Sequence, residues 1–364
     1  MDEGSGFDFE AAVLAPFRMQ PGLRRLAPQA RVLTALSPRS EVFGEKLAVL
    51  QRDAGAALLC TKGFDPLPAW RALAQAAAGE CPAALTVTPE AVQAPLLGWQ
   101  VRWDGRDVMR LEGTAATEAS RSPLPSLASP ASLSWVQARQ PNSHPPTGDA
   151  CELDAAVGVC LSALPVPLRV AGLLSLALHQ DFAIVDGADA SLPALAVCLP
   201  SHWAPEDKIG RSFATVHGPV ADNAVLIAAS RHLMQLVCQA QRWERFVWNL
   251  TPQTTHDQHP RRRPAIDWPQ TGEGVISAAR WRTERQTFLP LPERQQAVFT
   301  IHVEVQPLAE AIDSPRRAAV LHAALGSMSE AVLDYRGLAR ARGPLLDWLA
   351  DRAGAAIGGH HPPL

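Results

Sequence analysis

The run ARWRTERQTFLPLPERQQAVFTIHVEVQPL, residues 279–308, constrains this chain more than any other stretch. Both halves alternate apolar and polar residues, and a proline-containing polar break separates them, which predicts two antiparallel strands joined by a short loop. In the second strand Phe299, Ile301, Val303 and Val305 share one face, and Thr300, His302 and Glu304 share the other. That is the pattern of a half-buried strand and directs His302 toward solvent. In the first strand Arg285 falls on the face of Trp281, Thr287 and Leu289, while Glu284 falls with Arg282 and Gln286. Arg285 is therefore a charge on the more apolar face, and needs a partner if that face is buried.

The remaining segments mix helix with strand. Residues 39–58 and 66–79 have helical spacing with few breakers. LRVAGLLSLALHQDFAIV reads as a helix running into a strand, and LPALAVCLP as a buried strand. GWQVRWDGRDVMRLEG, at 98–113, suggests two short strands around the Asp104-Gly105 turn. APEDKIG is a short helix with Pro205 in its first turn, Glu206 and Asp207 at its positive end, and Gly210 closing it. GRSFATVHGPV, at 210–220, alternates like a strand and places His217 directly before a Gly-Pro turn. Residues 222–247 carry Leu226, Ile227, Leu233, Met234, Val237 and Phe246 at the spacing of one long amphipathic helix. Two helical segments, RRAAVLHAALGSMSEAVLDYRGLA and GPLLDWLADRAG, complete the chain before a GGHHPPL tail.

Strands separated by helices and ending in an antiparallel hairpin predict an α+β fold. The expected organisation is a polar leader over 1–14, one domain over 15–350 and a flexible tail over 351–364. A stretch rich in Ser, Pro, Ala and Thr interrupts the domain at 114–150 and reads as a loop.

At 364 residues, with 47% hydrophobic and 19% charged residues, the chain has the composition of a soluble globular protein. A net charge of −3 argues against general nucleic-acid binding, which needs a basic face. The acidic start MDEGSGFDFE has neither the basic nor the apolar region of a signal peptide, and VAGLLSLAL is too short to span a bilayer, so no membrane association and a cytoplasmic location are expected. Six cysteines, Cys60, Cys81, Cys151, Cys160, Cys198 and Cys238, include no C-x-x-C pair, and the spacing suits neither zinc nor an iron–sulfur cluster. The chain has neither a G-x-G-x-x-G dinucleotide fingerprint nor a Walker A loop. Electrons for any redox chemistry are therefore expected from another polypeptide.

Three blocks, PFRMQPGLRRL, LPSHWAPEDKIGRSFATVHGPV and RWRTERQTFLPLPERQQAVFTIHVEVQPL, resemble in order the α subunit of heme-dependent oxidative N-demethylases. DYRGLARARGPLLDWL fits the C-terminal end of that family, and the resemblance spans about residues 15–350 except 114–150. It implies a PAS-like antiparallel sheet flanked by helices and enclosing heme b. The implied activity is demethylation of a small secondary amine such as dimethylamine with dioxygen. Electrons would come from NADPH through a separate reductase subunit carrying FMN and a 2Fe–2S cluster. Three positions depart from the pattern: His202 replaces an arginine, Gln180 replaces an acidic residue before Asp181, and Trp248 precedes Asn249 in RFVWNL. These departures bear on the substrate rather than the fold.

The resemblance gives the candidate site residues specific roles. His217 is the candidate axial ligand of the iron; a strand-end histidine bonded to the turn is the alternative. Arg285 is a candidate for a heme propionate or for polarising oxygen, or else belongs to a buried ion pair, with Asp181 among the candidates. Glu284 either holds a substrate ammonium or lies on a solvated strand face. Trp203 and Phe213 line the core or the heme edge, and Lys208 is a surface charge or a propionate partner. His202 either stands in for the missing arginine as a donor or offers another axial ligand. His256 and His259 form an H-x-x-H pair in a polar loop, a weak metal signal. Alternatives to the enzyme are a non-catalytic heme-PAS gas sensor or heme-binding module, and a biosynthetic heme oxidase acting on a larger amine.

Overall fold

The computed structural model describes residues 6–111 and 150–354. The expected loop at 114–150, apart from its last residue, and the tail beyond residue 354 lie outside the described residues. The strands are β1 (Arg24–Arg25), β2 (Leu58–Cys60), β3 (Thr86–Val87), β4 (Ala91–Ala94), β5 (Trp99–Arg102), β6 (Val108–Arg110), β7 (Asp181–Asp186), β8 (Ser191–Ala196), β9 (Trp243–Thr251), β10 (Arg280–Leu291) and β11 (Gln296–Pro307). The helices in the amino-terminal half are α1 (Phe9–Ala12), α2 (Glu41–Ala57), α3 (Leu67–Glu80), α4 (Ala150–Ala163) and α5 (Arg169–Ala177). Those that follow are α6 (Phe213–His217), α7 (Ala224–Val237), α8 (Gly272–Ala278), α9 (Leu308–Ala311), α10 (Pro315–Gly326), α11 (Glu330–Tyr335) and α12 (Arg342–Gly354).

The predicted hairpin is the centre of the molecule. β10 and β11 pair without interruption from Arg280↔Pro307 to Leu291↔Gln296, and a 3-10 turn at Pro292–Arg294 joins them. Around them a seven-stranded antiparallel sheet runs β1-β9-β10-β11-β7-β8-β2, and a second sheet runs β3-β4-β5-β6. The α+β expectation therefore holds. The Asp104-Gly105 turn joins β5 to β6 as its sequence predicts. Gly105 has φ +71, and a Cβ there would lie 2.1 Å from the Val166 carbonyl oxygen, so the turn needs glycine twice over.

Helices cover the face of the large sheet that carries Arg285 along its length. Phe182 of β7 meets Trp70 of α3 edge to face, with centroids 5.1 Å apart, within a core that also holds Leu173, Leu174 and Leu176 of α5. At the other end α8, α10 and α12 pack around Trp248 and Trp281, which stack at 5.1 Å. Because helices cover the face carrying Thr300 and His302, the expectation that His302 faces solvent fails: it is buried at 4% exposure.

Several boundaries also differ. The strand predicted at 210–220 is the short helix α6, because Ser212 caps it, its side chain accepting from the Thr215 amide, and an alternation this brief does not specify a strand. The long helix expected over 222–247 ends at Val237, and Phe246 lies in β9; apolar residues of a strand edge extended the helical spacing by chance. The leader is not merely polar, since Phe9 and Val13 are buried against the Trp248–Trp281 cluster. APEDKIG forms only a 3-10 turn at Pro205–Asp207, with Gly210 at φ +67. At the other end α12 carries ordered structure through Gly354, past the expected start of the tail.

A buried ion pair ties the helical layer to the sheet. The Lys46 ammonium lies 3.1 Å from Asp181 Oδ1 and donates to the Gln180 and Leu178 carbonyls, while Asp181 Oδ2 accepts from the Leu199 amide at 2.6 Å. Neither side chain is more than 1% exposed. Lys46→Ala strands the Asp181 carboxylate in the interior, and urea denaturation at neutral pH is expected to show a loss of about 3–5 kcal/mol.

Candidate functional site

The face of β9 and β10 opposite the Arg285 side bounds a cavity of about 720 Å³. Strand alternation decides which side chains reach it. Arg245, Val247 and Asn249 of β9 face it, as do Arg282, Glu284, Gln286 and Phe288 of β10. Phe299 and Ile301 of β11 and Ala183 and Val185 of β7 continue an apolar floor. The opposite wall comes from the segment Ser201–Trp203, from Lys208, from α6, and from Leu226 and Met234 of α7. Thus His202, Trp203, Lys208, Phe213, His217 and Glu284 converge on one space although they come from distant parts of the chain.

His217 is the last residue of α6. Its Nδ1–H donates to the Phe213 carbonyl at 2.9 Å, and its ring stacks on Phe213 at 3.9 Å. That hydrogen bond assigns the proton to Nδ1 and leaves the Nε2 lone pair available, with no hydrogen-bond partner among the described residues. Asn223 secures the end of the helix by donating to the His217 and Gly218 carbonyls. Burial lowers the His217 pKa to about 4; the Phe213 hydrogen bond opposes this, and Arg245 and Lys208 reinforce it. The imidazole is therefore neutral at physiological pH, the form a metal needs.

Glu284 is not on a solvated face. One carboxylate oxygen receives a short hydrogen bond from the Ser201 hydroxyl, and the other accepts from Gln286 Nε2 at 2.6 Å. Ser201 in turn accepts from Arg282 Nε at 2.8 Å, and Arg282 spends its remaining donors on the His256 and Leu199 carbonyls. The carboxylate is thus held at the polar end of the cavity by neutral donors. Lys208 donates to the Val216 carbonyl at 2.8 Å, bracing α6, and burial lowers its pKa. His202 occupies the cavity wall with φ +58, a left-handed backbone that non-glycine residues rarely adopt. Burial, with the Arg282 charge behind it, favours the neutral form of its ring.

Arg285 lies on the other face and is not part of this cavity. Its Nε and Nη2 each lie 3.0 Å from Glu244 Oε2, and Nη1 donates to the Arg31 carbonyl. The ion-pair alternative is therefore the structural outcome, with Glu244 rather than Asp181 as partner. Glu244 sits at the next strand, on the same face as Arg285, and also receives Arg24 Nε at 2.9 Å. The H-x-x-H pair is split between two carboxylates: His256 Nδ1 lies 3.1 Å from Glu45, and His259 Nε2 lies 3.0 Å from Glu206.

One further cluster has the composition of a metal site. Donor atoms of His179, His302 and Glu304 all lie within 4.8 Å of one another, and the two imidazoles stack at 3.9 Å. The hydrogen bonds argue against a metal there. Gln180 Oε1 accepts from the Thr34 amide and its Nε2 donates to the Val32 carbonyl, which fixes the amide orientation. The same Nε2 lies 2.8 Å from His302 Nδ1 and must donate to it, so the ring proton sits on Nε2 and is given to Glu304 at 2.9 Å. Burial and the neighbouring His302 push the His179 pKa strongly down.

Sequence reasoning assigns no site role to Ser201, Arg245 or Arg336, and marks Asn249 only as part of a departure that bears on the substrate. For Arg245 and Asn249 a signal existed: in RFVWNL they alternate with Phe246 and Trp248, but the helical reading of 222–247 concealed it. Arg336 lies beside α11 and stacks over Trp248, with its Nη1 donating to the Trp248 carbonyl. No local sequence pattern announces that contact.

These residues fit a heme. The apolar floor suits a porphyrin face, His217 offers a neutral imidazole nitrogen, and Arg245, Lys208, Arg282, Arg336 and Arg340 outnumber Glu284, Asp267 and Asp334 around the lining, which suits a dianionic ligand. A family model described as haem-dependent oxidative N-demethylase, alpha subunit-like, matches residues 157–346. The match includes β7 through β11, α6 and every one of the predicted site residues. No helix among the described residues is long and apolar enough to cross a membrane.

The His217 titration has a measurable consequence. Its folded pKa of about 4 lies below the unfolded value near 6.5, so the unfolded chain binds the extra proton first as the pH falls. The stability is complete above about pH 6.5 and is lost progressively down to about pH 4. In His217→Phe that part of the decline, on the order of 3 kcal/mol, is expected to disappear from urea denaturation curves measured across this range.

Proposed function

Given that the chain belongs to the haem-dependent oxidative N-demethylase alpha-subunit-like family, we propose that it is a heme b oxidoreductase that removes an N-methyl group from a small secondary amine using dioxygen. The observation that carries this reading is His217, a neutral imidazole with Nδ1–H committed to Phe213, facing a cavity that also contains the carboxylate of Glu284. When bound, heme supplies iron-centred dioxygen chemistry, which oxidises the N-methyl group to yield formaldehyde and the demethylated amine. His217 would hold the iron, and the Phe213 carbonyl, which accepts from its Nδ1–H, would fix its ring direction and increase its basicity as a ligand. Trp203 and Phe213 would line the apolar part of the heme site, and Lys208 and His202 would supply its polar groups.

Glu284 receives the substrate ammonium. Ser201 and Gln286 hold its two oxygens by neutral donors, so its negative charge is left for a cationic amine rather than cancelled by a fixed ion pair. Phe288, Phe299 and Ile301 keep water from the apolar part of the cavity, which strengthens that attraction. Electrons are supplied by a separate flavin and iron–sulfur reductase, since the chain has no dinucleotide fingerprint or cysteine cluster for either group. A PAS-like assignment is supported by the strand order, in which β7, first of the central five, lies between β8 and β11, the last.

Purified protein supplied with heme is expected to give an intense Soret band that shifts under carbon monoxide after reduction. His217→Ala is expected to lose or shift that band, and added imidazole to restore it. A His217→Ala protein with an unchanged spectrum would remove His217 from the iron, and a wild type with no Soret band would remove the heme reading. Glu284→Gln is expected to keep the spectrum and to lower amine-dependent formaldehyde release by about 10–100-fold in kcat/KM, the worth of one charge-assisted hydrogen bond.

A further inference from the structure

Arg245 is the one enclosed cation of the cavity whose guanidinium makes no hydrogen bond or ion pair among the described residues, and its Nε is buried without a partner. The other two enclosed arginines are accounted for: Arg282 is bonded to Ser201 and two carbonyls, and Arg336 is bonded to one carbonyl and stacked between Phe17 and Trp248. The carboxylate nearest along the sheet is Glu284, diagonal to Arg245 across β9 and β10. The Glu284 charge acts on Arg245 through space and partly offsets the cost of its burial, but no hydrogen bond or ion pair joins them, and Glu284 takes its hydrogen bonds from Ser201 and Gln286 instead. A guanidinium with no hydrogen-bonded anion is costly inside a protein, and its planar fork is shaped for a carboxylate. Four residues along the same strand, the Asn249 side-chain oxygen is also buried without a partner, an acceptor that faces the same space.

We infer that Arg245 is the seat of a carboxylate that a ligand brings into the cavity. This rests on the heme oxidoreductase reading and extends it, because two ligands there could carry the group. One is heme itself, through a propionate. The other is the amine: with Glu284 and Asn249 as acceptors and Arg245 as a donor fork, the polar end of the cavity matches an N-methylated amino acid, whose ammonium and carboxylate would each meet the opposite charge. Arg245, not Arg285, then supplies the guanidinium of the site.

The two sources separate experimentally. Wild type, Arg245→Met and Arg245→Lys are titrated with heme b and with heme dimethyl ester, followed by the Soret band. The ligand-free proteins are titrated with N-methylglycine and with dimethylamine, followed by fluorescence of Trp203, Trp248 and Trp268, all of which line the cavity. A propionate at Arg245 makes wild-type binding of heme b tighter than that of its ester by about tenfold or more, with the preference gone in Arg245→Met. A substrate carboxylate makes N-methylglycine bind at least about tenfold more tightly than dimethylamine in the wild type, and again only there, with Arg245→Lys intermediate. Should the variants fail to fold, the two wild-type comparisons stand by themselves. Equal binding within both pairs of probes overturns the inference. A wild type with no Soret band overturns the heme reading alone, and the amine titration then decides the role of Arg245.

Discussion

Period-two alternation along β10 is the constraint on which the site depends. Trp281, Thr283, Arg285 and Thr287 point to one face, and Arg282, Glu284, Gln286 and Phe288 to the other. Twelve consecutive pairs with β11 and nine with β9 hold that register. A slip by one residue would exchange Glu284 for Arg285 in the cavity and invert its charge, while burying Glu284 beside Glu244. The two neighbouring charges are therefore placed in unrelated environments by backbone geometry alone. Arg285 neutralises Glu244 within the fold, and Glu284 remains available to a ligand.

The cavity is supported by a continuous polar network inside otherwise apolar packing. Lys46 on α2 pairs with Asp181 at the start of β7, and the other oxygen of Asp181 holds the Leu199 amide, just ahead of the Ser201–Trp203 wall. Gln180, beside Asp181, reaches the backbone at Val32 and Thr34 and the ring of His302. An acidic side chain in its place could accept from Thr34 but could not donate to the Val32 carbonyl, so the glutamine suits this neighbourhood. The departure at Gln180 thus falls outside the cavity, whereas the departure at His202 falls within it. The departure at Trp248 and Asn249 also falls on the cavity lining, so it and His202 bear directly on what the cavity accepts.

Much of the architecture was legible because the signals were long. The hairpin at 279–308, the helices near 39–58 and 66–79, and the Asp104-Gly105 turn all follow from periodicity or from backbone chemistry sustained over several residues. Short segments were legible only in part. Five residues of α6 alternate like a strand, and the Ser212 cap outweighs that alternation. A Phe246 that continued helical spacing by coincidence hid the start of β9, and with it Arg245 and Asn249. His302 read as exposed because alternation tells which residues share a face but not whether a second layer covers that face.

By itself the sequence determined the α+β class, the central hairpin and the split of Glu284 from Arg285, since each depends on local periodicity and steric rules. Its motifs also singled out His217, His202, Trp203, Lys208 and Phe213 before any geometry was known. Tertiary structure alone decided that these residues enclose one space, that Glu244 rather than a ligand satisfies Arg285, and that no hydrogen bond or ion pair satisfies Arg245 among the described residues. Those outcomes depend on which distant segments come within a few ångströms of one another. Charge compensation in an interior is a property of such contacts, and no run of neighbours along the chain encodes it.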